Sequence, residues 1–528
     1  VHAQDFALFA SNLAECGETL RITVEMPLEI RNYYASRILQ SNEDSQRSTL
    51  MYSNGINGTG QVVGCSDTGI DYDMCYFYDE SAGLVEQNVV NMTQRKIISY
   101  TLAKTDDPPD GIDGHGTHVT GTIAGMAQAR NNNTNITSIS LNDGVAYGAK
   151  LDFHDMSPNN EQLETFDLID VYGKQYERGT RFHSMSWGCN NIFLIQPSIC
   201  NVYSSESYQV DAFTYANQNF LVLIAAGNSA YYSPDRSIGA PATAKNAIAV
   251  GASQTANAGL RGQDIYYTDW GSLGHAYQCA LPSGNPSCCA DKGCNYTRMC
   301  CDGGDGGYKS DDCCESKVQK QVNDNPDHYR KSNLAAFSST GPTNDDRYKP
   351  DLVAPGSKVV SAHSDGKINS FQCGSGKPYF GNIAAQLAYE GTSMATPALA
   401  GTAALVRQYF SDGFYPSGKQ DDSQKWEVYG STVKALLINS ARALDGTYEV
   451  YIPPYVEQAY VKMDTAVPNK YQGFGLPDLS NSLYFSDASP LPNGRSFWVK
   501  ENKFQFPSRT KYCFKVRSKE TTIRATLV

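Results

Sequence analysis

The chain has 528 residues, 41% of them hydrophobic and 19% charged, with a net charge of −12. That composition supports a large folded core and excludes a disordered chain. The negative balance excludes a nucleic-acid or anionic-membrane surface as the main business of the protein, so no nucleic-acid partner is expected. The longest apolar run near the middle, Phe220 to Ala226, is far too short to span a bilayer. Fifteen Cys and five Asn-X-Ser/Thr sequons, at Asn57, Asn91, Asn132, Asn135 and Asn295, predict an oxidising compartment: the secretory pathway, the extracellular space, or a lysosomal or vacuolar lumen. The chain begins at Val1 without Met or a charged-then-apolar leader, so a signal peptide is expected to be removed already or to lie outside this stretch.

In chain order, Leu20–Met26 alternates like a half-buried strand and carries nothing catalytic. Residues 60–73 read as a buried strand ending at Asp67, with glycine punctuation at Gly69. A carboxylate at the end of such a strand lies where α/β sheets place their sites, although a turn-forming Asp is the alternative. From Asp113 to Gly125, small and apolar residues follow His115 at helical spacing. Two histidines three apart, His115 and His118, also suggest a metal. A metal reading wants a third ligand and a base carboxylate on the same helix, and neither is there.

Residues 127–144 form a polar loop, Val145–Leu151 enters a strand, and Glu161–Arg178 is amphipathic enough for a surface helix. Phe220–Ala226 reads as a buried strand running into Gly227-Asn228, a switch that is usually turn chemistry. Residues 279–314 break the pattern with eight Cys, at 279, 288, 289, 294, 300, 301, 313 and 314. With many Gly and Asp, they predict a disulfide-stapled insert over 279–330 rather than a zinc cluster, because the paired Cys-Cys spacing lacks a C-x₂-C frame. Asp302, Asp305, Asp311 and Asp312 read as a solvated acidic face, and no D-x-[DN]-x-[DN]-G loop appears.

Ser393 lies in Gly391-Thr392-Ser393-Met394-Ala395-Thr396-Pro397, at the start of an Ala-rich run through Val406 that reads as a buried helix. Small neighbours let a substrate backbone approach, and a helix N-terminus offers free N–H groups and a positive dipole end. A helix-capping serine is the plainer alternative. From about 481 the texture changes to alternating strands such as Ser496–Lys500 and Tyr512–Val516.

Three strings, around Asp67, His115 and Ser393 in that order, resemble the aspartate, histidine and serine motifs of the subtilases, the subtilisin-like serine proteases. The resemblance covers roughly 31–480. It implies a three-layer α/β/α catalytic domain with a mostly parallel sheet, 1–30 as a prosegment remnant or added strand, and 481–528 as the start of a C-terminal β-sandwich. The family's roles fall on Asp67, His115 and Ser393 as the catalytic set and on Asn228 as the oxyanion donor. Ser186, Trp187, Gly188, Ala226 and Gly227 fall on the substrate-binding cleft. Ser237–Pro241 resembles the loop closing the S1 pocket; it shows no charge at the pocket floor, which favours apolar or aromatic P1 residues, with Asp235 and Arg236 nearby in sequence. The implied function is serine endopeptidase action on polypeptide substrates through an acyl-enzyme, with no cofactor for the chemistry. The resemblance admits structural calcium, its own propeptide as a partner, and, as in some eukaryotic members, fusion to a transporter. A non-catalytic binding protein built on an inactive protease is the rival; loss of the serine, histidine or asparagine would have marked it, and all three are present.

Overall fold

The computed structural model describes the chain except residues 1–31, 43–48, 103–109, 113, 130–139, 141, 158–162, 165, 190–199, 231–232, 256–329, 374–384, 453–456, 487–496, 502–510 and 514–522. The expected strand at 20–26, the prosegment reading of 1–30 and the eight-cysteine segment lie outside the described residues. Residues 497–501, 511–513 and 523–528 carry no strand, so the expected β-sandwich is not seen where the tail is described.

Among the described residues, seven strands form one sheet: β1 (Val62–Asp67), β2 (Ile97–Leu102), β3 (Lys150–Asp155), β4 (Phe182–Met185), β5 (Leu221–Ala225), β6 (Ile248–Ser253) and β7 (Leu352–Pro355). Their order is β2-β3-β1-β4-β5-β6-β7, and every neighbouring pair is parallel. Near-continuous apolar runs such as Leu221-Val222-Leu223-Ile224-Ala225 suit strands covered on both faces, and all five of these residues are buried. Two antiparallel pairs lie outside this sheet, β8 (Val359–Ala362) with β9 (Gln386–Tyr389), and β10 (Thr447–Ile452) with β11 (Glu457–Lys462).

The described α-helices are α1 (Asn32–Ser41), α2 (His115–Ala124), α3 (Leu168–Glu177), α4 (Ser205–Ala216), α5 (Thr392–Ser411) and α6 (Gly430–Ser440). Strand alternation sorts them into two layers. Leu221 and Leu223 of β5 join a core with residues of α1, α2, α5 and α6, whereas Val222 and Ile224 join a second core with Leu168 and Tyr172 of α3 and Val210 and Phe213 of α4. The fold is therefore α/β/α, as expected. In α5, every residue except Ser393, Arg407 and Ser411 is buried. Small and apolar residues over most of its length let this helix pack against β4, β5, β6 and β7.

The strand order reverses at β1, whose neighbours are β3 and β4. Open α/β sheets place their crevice beyond the carboxyl ends of the strands at such a switch point. Asp67 ends β1, Ser186 follows β4, and Asn228 follows β5 by three residues. Two disulfides hold the surrounding loops, Cys75–Cys373 and Cys189–Cys200, with Cα–Cα distances of 5.3 and 5.4 Å.

Candidate active site

Asp67 is 1% exposed, and its Oδ1 accepts from His115 Nδ1 at 2.6 Å and from Thr68 N at 2.8 Å. His115 opens α2, with its side chain one-third exposed. Burial pulls its imidazole pKa down, but the Asp67 charge, the shared hydrogen bond and the nearby Asp110 outweigh it, so His115 stays protonated above the ordinary histidine range. The approach of α2 to the Asp67 loop depends on Gly116: a Cβ there would meet the Gly69 carbonyl oxygen at 2.2 Å. Behind His115, His118 is fully buried and its Nε2 lies 2.9 Å from Val359 O and 3.1 Å from Leu387 O. It bonds the helix to β8 and β9, as a structural histidine does.

Ser393 is the second residue of α5 and is partly exposed. Pro397, four residues on, has no N–H to give the Ser393 carbonyl, so that carbonyl needs another donor. Ser186 provides it. The Ser186 hydroxyl donates to Ser393 O at 2.8 Å, and the Ser393 hydroxyl donates to Ser186 O at 2.9 Å. At rest, then, the Ser393 hydroxyl faces the end of β4 rather than His115.

Asn228 is exposed at the crevice, and its Oδ1 accepts from both Thr392 N and Thr392 Oγ1 at 2.9 Å. Thr392 Oγ1 also accepts from Gly227 N at 3.1 Å. With its oxygen held from below, the Asn228 amide nitrogen turns toward Gly391. A Cβ on Gly391, whose φ is +148°, would lie 3.2 Å from Asn228 Nδ2 and 3.5 Å from Ser393 N. Glycine thus leaves open the space between two N–H donors, and the first-turn N–H of Ser393 has no intrahelical acceptor. Thr392 as the clamp on Asn228 escaped the sequence reading. Its signal, a hydroxyl beside the serine, is too common to stand out.

Of the other cleft residues, Ala226 is buried and donates its N–H to Val250 O, while its carbonyl accepts from Gly239 N at 3.1 Å. That second bond seats the Ser237–Pro241 loop beside β5. Gly188 is exposed, and a Cβ on it would meet Ala240 O at 2.8 Å. The Trp187 side chain is structural, since its indole N–H donates to Ser66 O at 3.0 Å and its ring lies 6.1 Å from that of Phe166. Asp235 and Arg236 pair with Lys470 and Asp346 at 2.6 and 2.5 Å. Among the described residues, no three His, Cys, Asp or Glu come together in a group that could hold a metal ion.

The sequence pattern of the subtilase family matches residues 58–475. The chain is 36% identical over 454 residues to the serine protease/ABC transporter B family protein tagD of Dictyostelium discoideum, covering 84% of this chain and 24% of that protein. It is 32% identical over 493 residues to tagB of the same organism, described in the same words, covering 92% and 24%. The chain therefore spans about a quarter of the length of these curated relatives. Among solved structures, sphericase aligns with a TM-score of 0.44 at 18% identity, covering 84% of this chain and 97% of that one. Among the described residues, no helix is long and apolar enough to cross a membrane.

Proposed function

This chain belongs to the subtilase family, and on that premise we propose that it is a serine endopeptidase in which Asp67, His115 and Ser393 hydrolyse peptide bonds through an acyl-enzyme. The observation that carries the proposal is the 2.6 Å Asp67–His115 pair set in one crevice with a serine at a helix N-terminus and an open space between two donors. In the reaction, the Ser393 hydroxyl leaves the Ser186 carbonyl and turns to His115 Nε2. Catalytic hydrogen bonds often form only once substrate is bound. Ser393 Oγ attacks the scissile carbonyl as its proton passes to His115, and Asp67 holds the imidazole and supports its cationic form. Asn228 Nδ2 and Ser393 N–H receive the negative oxygen. His115 then gives the proton to the leaving amine, and water repeats the sequence on the acyl-enzyme.

The substrates are polypeptides, lying along Ser186–Gly188 as an added strand, with apolar or aromatic P1 side chains; the propeptide of the chain is one such partner. Two disulfides and the sequons support an oxidising, secretory or lumenal setting. A fluorophosphonate probe tests the proposal. Labelling that disappears in Ser393→Ala supports it, and no labelling of any folded form of the chain sinks it.

A further inference from the structure

Asp110 stands outside the three catalytic residues, yet its carboxylate is 1% exposed and bonded in four directions. Its Oδ2 accepts from Thr117 N at 3.0 Å and Thr117 Oγ1 at 2.5 Å, in the first turn of α2. Its Oδ1 accepts from Thr68 Oγ1 at 3.1 Å and from Gly111 N at 2.9 Å. Thr68 Oγ1 in turn accepts from Gly116 N at 3.0 Å, and Thr117 Oγ1 accepts from Asp71 N at 2.9 Å. One buried carboxylate therefore ties the residue after Asp67 to the two residues after His115. A carboxylate acting only as a helix cap would bond Thr117 and nothing on β1's loop.

We propose that Asp110 is a positioning residue for the peptidase reaction, fixing the Asp67 loop against the first turn of α2 and adding negative charge in support of the His115 imidazolium. The inference rests on the peptidase reading above. Two carboxylates so close repel each other, and donors offset the repulsion: Asp110 receives four, while Asp67 receives Thr68 N and His115. The titratable groups around Asp110 are Asp67 at the end of β1, Tyr100 on β2, His115 on α2, and His363, whose Nε2 lies 3.0 Å from Ile112 O. Burial pushes the Asp110 carboxyl up to about 6, so it is charged at neutral pH, and its charge is one of the influences that hold His115 protonated.

The test measures kcat, KM and the pH dependence of kcat/KM for the unaltered chain, Asp110→Asn, Thr68→Val and the double variant, each normalised by active-site titration and accompanied by its melting temperature. For Asp110→Asn, kcat is expected to fall roughly 10- to 100-fold, the loss of hydrogen bonds to a charged group, with KM little changed. The acid limb of its profile moves to lower pH. Thr68→Val lowers kcat without moving the limb, and the double variant costs less than the product of the two. Asp110→Asn with unchanged kcat per titrated site and an unchanged limb overturns the inference, as does a fall in melting temperature alone. If Asp110→Asn does not fold, Thr68→Val decides: unchanged kcat overturns the proposal. An unaltered chain without activity would defeat the peptidase reading itself, and the inference with it.

Discussion

Replacing Thr392 with Val tests whether Asn228 is held ready for its role or merely sits near the serine. Val keeps the shape of Thr, so no cavity opens at a residue that is 1% exposed. Two hydrogen bonds vanish, the one to Asn228 Oδ1 at 2.9 Å and the one from Gly227 N at 3.1 Å, while Thr392 N keeps its own 2.9 Å bond to Asn228. The unsatisfied Gly227 N–H costs about 1–3 kcal/mol of stability. Asn228 then has one anchor in place of two. Removing an oxyanion donor outright costs about 10²–10³ in kcat, so a loosened donor is expected to cost roughly tenfold. The assay is a double-variant cycle with Asn228→Ala on a peptide substrate, with kcat referred to titrated sites. If Thr392 acts through Asn228, its hydroxyl matters little to kcat once the amide is gone. An equal loss of kcat in both backgrounds would refute the clamp.

Gly391→Ala puts a methyl between Asn228 Nδ2 and Ser393 N, and kcat is expected to fall by at least about 10²-fold with the Asp67–His115 pair intact; near-normal turnover would show that the oxyanion forms elsewhere. Because His115 is held protonated above the ordinary range, the acid limb of kcat/KM is expected above about pH 6.5 and should move down in Asp67→Asn. A limb at or below 6.5 in the unaltered chain contradicts the pairing. Burial lowers the pKa of His118 and His183 to about 3 and of His154 to about 4. These folded values lie below the unfolded value, so the unfolded chain takes up protons that the native state refuses. The stabilisation is whole above about pH 6.5 and falls toward pH 4 by up to about 1.4 kcal/mol per pH unit for each histidine. Urea midpoints from pH 7 to 4.5 should show it, and His183→Gln should flatten the slope.

The end of β1 was legible because its apolar opening, Val62 and Val63, gives way to a carboxylate at Asp67 followed by Gly69, and the strand ends there. Helix α5 was legible from its Ala-rich apolar run. Two boundaries were not. The helix expected over 161–178 runs from Leu168 to Glu177, because the Asp167 side chain accepts from Ile169 N and starts it there. Val145 and Ala146 looked like the beginning of a strand, yet their N–H groups bond Thr122 O and Ile123 O at the end of α2, and β3 begins only at Lys150. An apolar residue reports burial, not which partner satisfies its backbone. The same limit hid the disulfides and Asp110. Cys75 and Cys373 are 298 residues apart, and connectivity follows from folded distance rather than spacing. Asp110 gains its meaning only when Thr68 and Thr117 close around it.

The string from Gly391 to Pro397 places a different physical demand on each of four positions. Gly391 keeps the donor space empty, Thr392 clamps the far end of the asparagine, Ser393 carries the hydroxyl, and Pro397 withholds the N–H that would otherwise tie up the Ser393 carbonyl. The freed carbonyl is what fastens the serine to β4, because the Ser186 hydroxyl takes it. This fixes the Ser393 backbone beside the end of a central strand while leaving its hydroxyl on a single hydrogen bond that rotation can break. Ser186→Ala therefore has a consequence distinct from loss of substrate contact: Ser393 O becomes an unsatisfied acceptor at the helix start. The expected result is a fall in both kcat and melting temperature. Pro397→Ala in the same chain should restore part of the stability, since the substituted position then has a backbone N–H that can reach that carbonyl. If the second substitution restores nothing, the proline is there for some reason other than freeing the serine carbonyl.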